Sequence, residues 1–154
     1  FHPLHILFSA TATTAMFWRH NKKLVKALSI GFIGSVGLCT ISDILIPFVA
    51  GELLGVEMRL HICILVDPML VLPFLFFGLS IGFVLPAVIE STIFSHAAHV
   101  LISSMASIFY LVSFGLTNWI PVGGMVFIYT VVAVMLPCCT SDIVLPLLLV
   151  KKTV

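Results

Sequence analysis

Polar residues are sparse in this chain, and they recur at intervals that a helix would gather on one face. Apolar runs over about 4–18, 24–49, 68–89, 93–117 and 122–149 are predicted as helices. All but the first reach the roughly 20 residues needed to cross a hydrocarbon core. In lipid a backbone amide finds no water, so helices are the form that satisfies these segments. "RHNKK" (19–23) is predicted as a polar turn between the first two. The first run is short, and Phe1 in place of a starting Met leads us to expect further chain upstream. A sixth helix beyond Val154 would make each repeated unit three helices long.

Between the second and third runs lies "GELLGVEMRLHICILVDP", with Glu52, Glu57, Arg59, His61 and Asp67. So many ionisable groups make 51–67 an interfacial or re-entrant connector rather than a span. Gly31, Gly34 and Gly37, and Gly78 with Gly82 in a GxxxG, are expected at helix–helix contacts. Pro47, Pro73, Pro86, Pro137 and Pro146 are expected to kink or break helices, freeing carbonyls for other partners.

Positions i, i+3, i+4 and i+7 share a helix face. "HPLHILFSATAT" (2–13) therefore presents His2, His5, Ser9 and Thr13 as one polar stripe. "HAAHVLISSMAS" (96–107) presents His96, His99, Ser103 and Ser107 as another of the same plan. A second echo follows in the same order: "CTISDILIP" (39–47) resembles "CCTSDIVLP" (138–146). Two ordered echoes predict internal duplication, with units over 1–50 and 93–150 joined by the connector and the helix at 68–90. Each unit is a hairpin of a HxxH helix and an SDIxxP helix. The single helix between them inverts the second relative to the first, as in secondary transporters.

Composition sets the environment. The chain is 61% hydrophobic and 8% charged, where a soluble domain carries about 25% charge, so its main partner is expected to be the lipid bilayer. The predicted fold is all-α: one polytopic integral membrane domain of about five transmembrane helices. A net charge of +1 offers no basic patch for nucleic acid. The opening segment lacks the charged start of a signal peptide. Cys39, Cys63, Cys138 and Cys139 have the spacing of neither a disulfide framework nor a zinc ribbon. Arg19, Lys22, Lys23 and Lys26 put the first turn on the cytoplasmic side, and five crossings return Lys151 and Lys152 there. Trp18 and Trp119 fall at helix ends, as in an aromatic belt.

The candidate chemistry lies in the stripes and the helices opposite them. Counting about 1.5 Å per residue, His5 and Cys39 lie roughly 21 and 24 Å from the first turn. His99 and Cys138 both lie roughly 28 Å from "TNW" (117–119). His2, His5, Cys39 and Asp43 would make one four-ligand set for zinc or another first-row divalent metal, and His96, His99, Cys138 and Asp142 a second. These depths place the two sets near opposite membrane faces, with Ser9, Thr13, Ser103 and Ser107 lining a path. Set against this, HxxH also occurs as interfacial histidines at a helix start. Ser-Asp also occurs as an N-cap or beside proline-freed backbone, serine and threonine mostly bond their own helix, and buried cysteine mostly acts as a small hydrophobe. His20 is expected in solvent, His61 in a surface ion cluster, and Glu90 beside the second set.

Three function classes follow. The first is a small transporter or channel subunit for a metal cation or proton, histidine being suited to a relay because it titrates near neutral pH. The second is a redox subunit with haem held between histidines, or a metal-dependent membrane enzyme; parallel hairpins would bring all four histidines to one shared site. The third is a structural subunit of a homo-oligomer or larger membrane complex. No phosphate-binding loop, HExxH or ordered Ser-His-Asp set is present.

Overall fold

The computed structural model of the chain describes residues 1–88, 93–118 and 120–151. The expectations for Glu90, Trp119 and Lys152 fall outside these residues. Among the described residues the secondary structure is helical, with no strand: α1 (His2–His20), α2 (Leu24–Thr40), α3 (Ile46–Leu53), α4 (Cys63–Val66), α5 (Pro68–Val88), α6 (Ile93–Ser113), α7 (Gly123–Cys139) and α8 (Leu145–Lys151). One π-helical turn, Ile41–Leu45, fuses α2 to α3, and another, Thr140–Val144, fuses α7 to α8. The expected breaks at Pro47 and Pro146 are therefore wide turns inside continuous helices.

Among the described residues, four helices are long and apolar enough to cross a membrane: Leu24–Leu53, Pro68–Pro86, His96–Ser113 and Gly123–Val150. The expected first span is not among them, because α1 spends much of its face on histidine, serine and threonine. It has no need of an apolar exterior. α5, α2, α6 and α8 pack around it, and Ser9 through Ala15 are all buried. The outer surface carries Val25, Ile33, Phe76, Phe77, Leu101, Phe127 and Leu136, all more than half exposed. A contiguous apolar exterior of this kind suits lipid rather than water.

Helix directions follow from the contacts. A Cβ at Gly78 would meet Leu7 and Ala10, and one at Gly82 would meet Thr11 and Thr14, while Phe83 meets Trp18 edge-on at 4.9 Å. α5 thus runs parallel to α1 through close backbone contact. α6 runs the other way: His99 meets His5, and ten residues on Phe109 meets Phe1. α7 and α8 are antiparallel to α2 and α3, with Ala133 near Pro47 and Ala50, Ser141 near Gly34, and Leu145 and Val150 packed on the Phe17, Ala27 and Ile30 cluster. α8 therefore ends beside the first turn. Gly31 and Gly34 face close neighbours as expected, whereas Gly37 has nothing within 4 Å and is no packing site.

The connector turns at Gly55, whose φ of +77° suits a residue without a Cβ. It then runs without regular secondary structure to the single turn of α4. Glu52 accepts the Met58 backbone N–H, and Met58 sits over Gly51, where its sulfur would lie 2.5 Å from an added Cβ.

Candidate functional site

The two SDIxxP motifs build their halves of the site through backbone register. In a π-turn each N–H bonds the carbonyl five residues back, and Ile46 does so with Ile41, Leu145 with Thr140. The next donors would serve Ser42 and Ser141, but those positions are Pro47 and Pro146, which have no N–H. The freed carbonyls are taken by hydroxyls from the other half of the chain: Ser107 donates to Ser42 O at 3.1 Å and Thr13 to Ser141 O at 3.2 Å. Serine side chains complete the seam, with Ser42 and Ser103 at 2.9 Å, Ser9 and Ser141 at 3.1 Å, and Thr13 and Ser141 at 2.9 Å. Ser9, Thr13, Ser103 and Ser107 are buried in cross-half hydrogen bonds rather than bonded within their own helices. The Ser-Asp pairs lie inside helices and cap none.

The turns aim Asp43 and Asp142 at the histidines. His2 donates from Nδ1 to Asp43 Oδ2 at 2.8 Å, and His5 donates from Nδ1 to the same carboxylate at 2.7 Å. In the other half His96 and His99 donate from Nδ1 to Asp142 Oδ2 at 2.9 and 2.6 Å. A carboxylate can only accept, which fixes the proton on each Nδ1. The remaining nitrogens of the two inner rings then face each other, His5 Nε2 to His99 Nε2 at 2.6 Å. Two lone pairs so opposed require a positive charge between them, a proton or a metal ion. Both rings are buried, at 1% and 0% exposure.

Thiols flank this junction. Cys138 Sγ lies 3.7 Å from His5 Nε2 and donates to Ser103 Oγ at 3.3 Å. Cys39 is equally buried. Ligand atoms of His5, His99 and Cys138 lie within 4.8 Å of one another, as do those of His96, His99 and Asp142. These groupings could hold a metal ion.

All eight predicted ligands are thus brought together, but not as two sets near opposite faces. The fused helices explain the correction. Leu24–Leu53 has 30 residues and Gly123–Val150 has 28, or roughly 45 and 42 Å. Cys39 and Cys138 each lie roughly 22 Å along them. A depth that would be near the far face of a 30 Å span is the middle of these helices, so the two sets meet there.

Other polar residues stand apart. His61 and Asp67 form an exposed pair at 3.4 Å, as expected of a surface cluster, and His20 bonds Met16 O at the surface. Trp18 carries the Lys22 ammonium 4.9 Å above its ring. Ser42 and Ser141 were not predicted as site residues, though the five-residue interval from each to its proline was the available signal. Thr14 was also missed; its buried Oγ1 has no hydrogen-bond partner among the described residues. Compared with models of known protein families, with curated proteins and with solved structures, the chain matches none.

Proposed function

We propose that this chain is the ion-binding core of a membrane transporter for a first-row transition-metal cation. Residues 1–50 and 93–150 would be duplicated halves of inverted orientation, rocking about a shared central site. The observation that carries this is the donor set at the midpoint. His5 Nε2 and His99 Nε2 converge with Cys138, and each histidine is backed through Nδ1 by a carboxylate. A carboxylate behind a histidine is the habitual support of a metal ligand, fixing ring orientation and raising basicity. Two imidazoles and a thiolate suit zinc and neighbouring divalent ions, with a fourth position left for a further donor. Nitrogens each about 2.0–2.1 Å from a tetrahedral ion stand roughly 3.3 Å apart, so each ring needs to retreat by only a few tenths of an ångström.

Inversion supports alternating access, because each half offers the centre to one membrane side. The basic residues of the first turn would face the cytoplasm. The bilayer is the solvent for the apolar exterior, and a second copy or a larger complex is compatible with it.

A second assignment, proton relay, is favoured by one observation. His2, Asp43, His5, His99, Asp142 and His96 are linked by consecutive hydrogen bonds of 2.6–2.9 Å. Proteoliposomes loaded with a metal-sensitive dye or a pH dye separate the two. Uptake of Zn²⁺, Mn²⁺, Ni²⁺ or Cu²⁺ that disappears in His5→Ala/His99→Ala supports the metal carrier. Proton flux with no metal uptake replaces it with the relay, and neither flux overturns both.

A further inference from the structure

Asp43 and Asp142 occupy corresponding places but bond differently. Asp43 uses both oxygens: Oδ2 accepts from His2, and both lie 2.7 Å from His5 Nδ1. Asp142 receives both His96 and His99 on Oδ2, and its Oδ1 has no hydrogen-bond partner among the described residues, although the residue is only 4% exposed. A buried acceptor left unmade costs about 1–3 kcal/mol, and more when charged. Natural proteins keep few of them without a functional reason. Beside it stands His96, whose side chain is 34% exposed, where its counterpart His2 is 10% exposed.

We propose that His96, His99 and Asp142 form a second divalent-cation site, an acquisition site distinct from the central His/Cys set. It rests on the assignment of the central set to a metal ion. Ligand atoms of all three lie within 4.8 Å of one another, and the unused Asp142 oxygen supplies a free donor. His96 opens the site to the surface, and His99 belongs to both sites, Nδ1 facing the outer and Nε2 the inner. Ligation at Nδ1 releases to solvent the proton otherwise given to Asp142, and with both sites filled His99 bridges them as an imidazolate. An ion passing inward keeps this ring while it exchanges a carboxylate for a thiolate. The outer set, two nitrogens and one oxygen, accepts borderline divalent ions, and the inner set adds sulfur. Mg²⁺ and Ca²⁺, which favour all-oxygen sites, would be held poorly at the first and worse at the second. The matching group His2, His5 and Asp43 has both carboxylate oxygens engaged and is closed in this structure.

Titration of the purified full chain with Co²⁺ tests this, because a thiolate site adds sulfur-to-cobalt charge-transfer absorption and the outer site does not. Wild type is expected to bind two equivalents, one with that absorption. His96→Ala and His96→Asn should bind one, keep the sulfur band and keep their helical circular dichroism. Cys39→Ser/Cys138→Ser should lose the band and keep the outer equivalent. If the His96 variants bind as many ions as wild type, the outer site is overturned while the central one stands. If wild type binds a single ion without the band, and His96→Ala removes it, the outer site stands and the central assignment falls. No binding overturns both.

Discussion

Thr13, on the first helix, donates to the carbonyl of Ser141 at 3.2 Å, the carbonyl that Pro146 leaves without a helical donor. The mirror relationship joins Ser107 to Ser42 at 3.1 Å across from Pro47. Each half thus satisfies a backbone group that the other half's sequence cannot.

Removing one hydroxyl should therefore cost stability without changing shape. Thr13→Val and Ser107→Ala are each expected to lower unfolding free energy by about 0.6–2 kcal/mol, the range for hydrogen bonds inside membrane bundles and for a buried acceptor left unmade. Denaturation in detergent measures it. Values near zero would mean that the freed carbonyls find other donors.

Pro146→Ala returns an N–H at the position that faces Ser141. The turn can then close on itself, rotating Asp142 away from His99. Metal affinity is expected to fall about 10–100-fold, as for loss of a carboxylate behind a histidine. Asp142→Asn should fall comparably. Isothermal titration with Zn²⁺ checks both, and unchanged affinity in Pro146→Ala would show that the proline does not set the aspartate's position.

The glycines divide into two kinds. Gly78→Ala would push a methyl to 2.5 Å from the Leu7 carbonyl oxygen, a backbone atom that cannot swing aside, and overpacking of this sort costs about 1–3 kcal/mol. Gly37→Ala meets nothing and should stabilise α2 by up to about 1 kcal/mol through helix propensity. Melting temperatures of the two variants should move in opposite directions.

Cys63 lies in the connector, outside the four long apolar helices. Burial, and then the negative charge of Asp67, push its thiol up from the usual range. Less thiolate is present near neutral pH, so maleimide labelling of Cys63 should be slower than for a free thiol and should accelerate as pH rises. Asp67→Asn should speed it at neutral pH. No acceleration would remove Asp67 as a cause.

Much of this was legible before any coordinates. Apolar run lengths located the helices to within a few residues. The i, i+3, i+7 spacing put His2, His5, Ser9 and Thr13 on one buried face of α1, and His99, Ser103 and Ser107 face the same seam on α6. What could not be read was depth. Pro47 and Pro146 look like helix ends in a one-dimensional pattern, so the halfway points of the two long helices looked like positions near opposite faces. The seam was hidden for a related reason. Whether a serine bonds its own helix or another depends on backbone register, and the change from four-residue to five-residue closure leaves its trace only in the interval from Ser42 to Pro47 and from Ser141 to Pro146.

The wrapping of α1 by its neighbours has a consequence for biogenesis. The segment that supplies His2 and His5 is too polar to partition into lipid by itself, since insertion of a lone helix follows its summed residue transfer energies. It must enter already screened, as a hairpin with α2 or after α5 has laid its Gly78–Gly82 face along it. Half of the candidate site is thus delivered to the membrane by helices that carry none of its stripe, and the order of their synthesis governs when the cluster first exists.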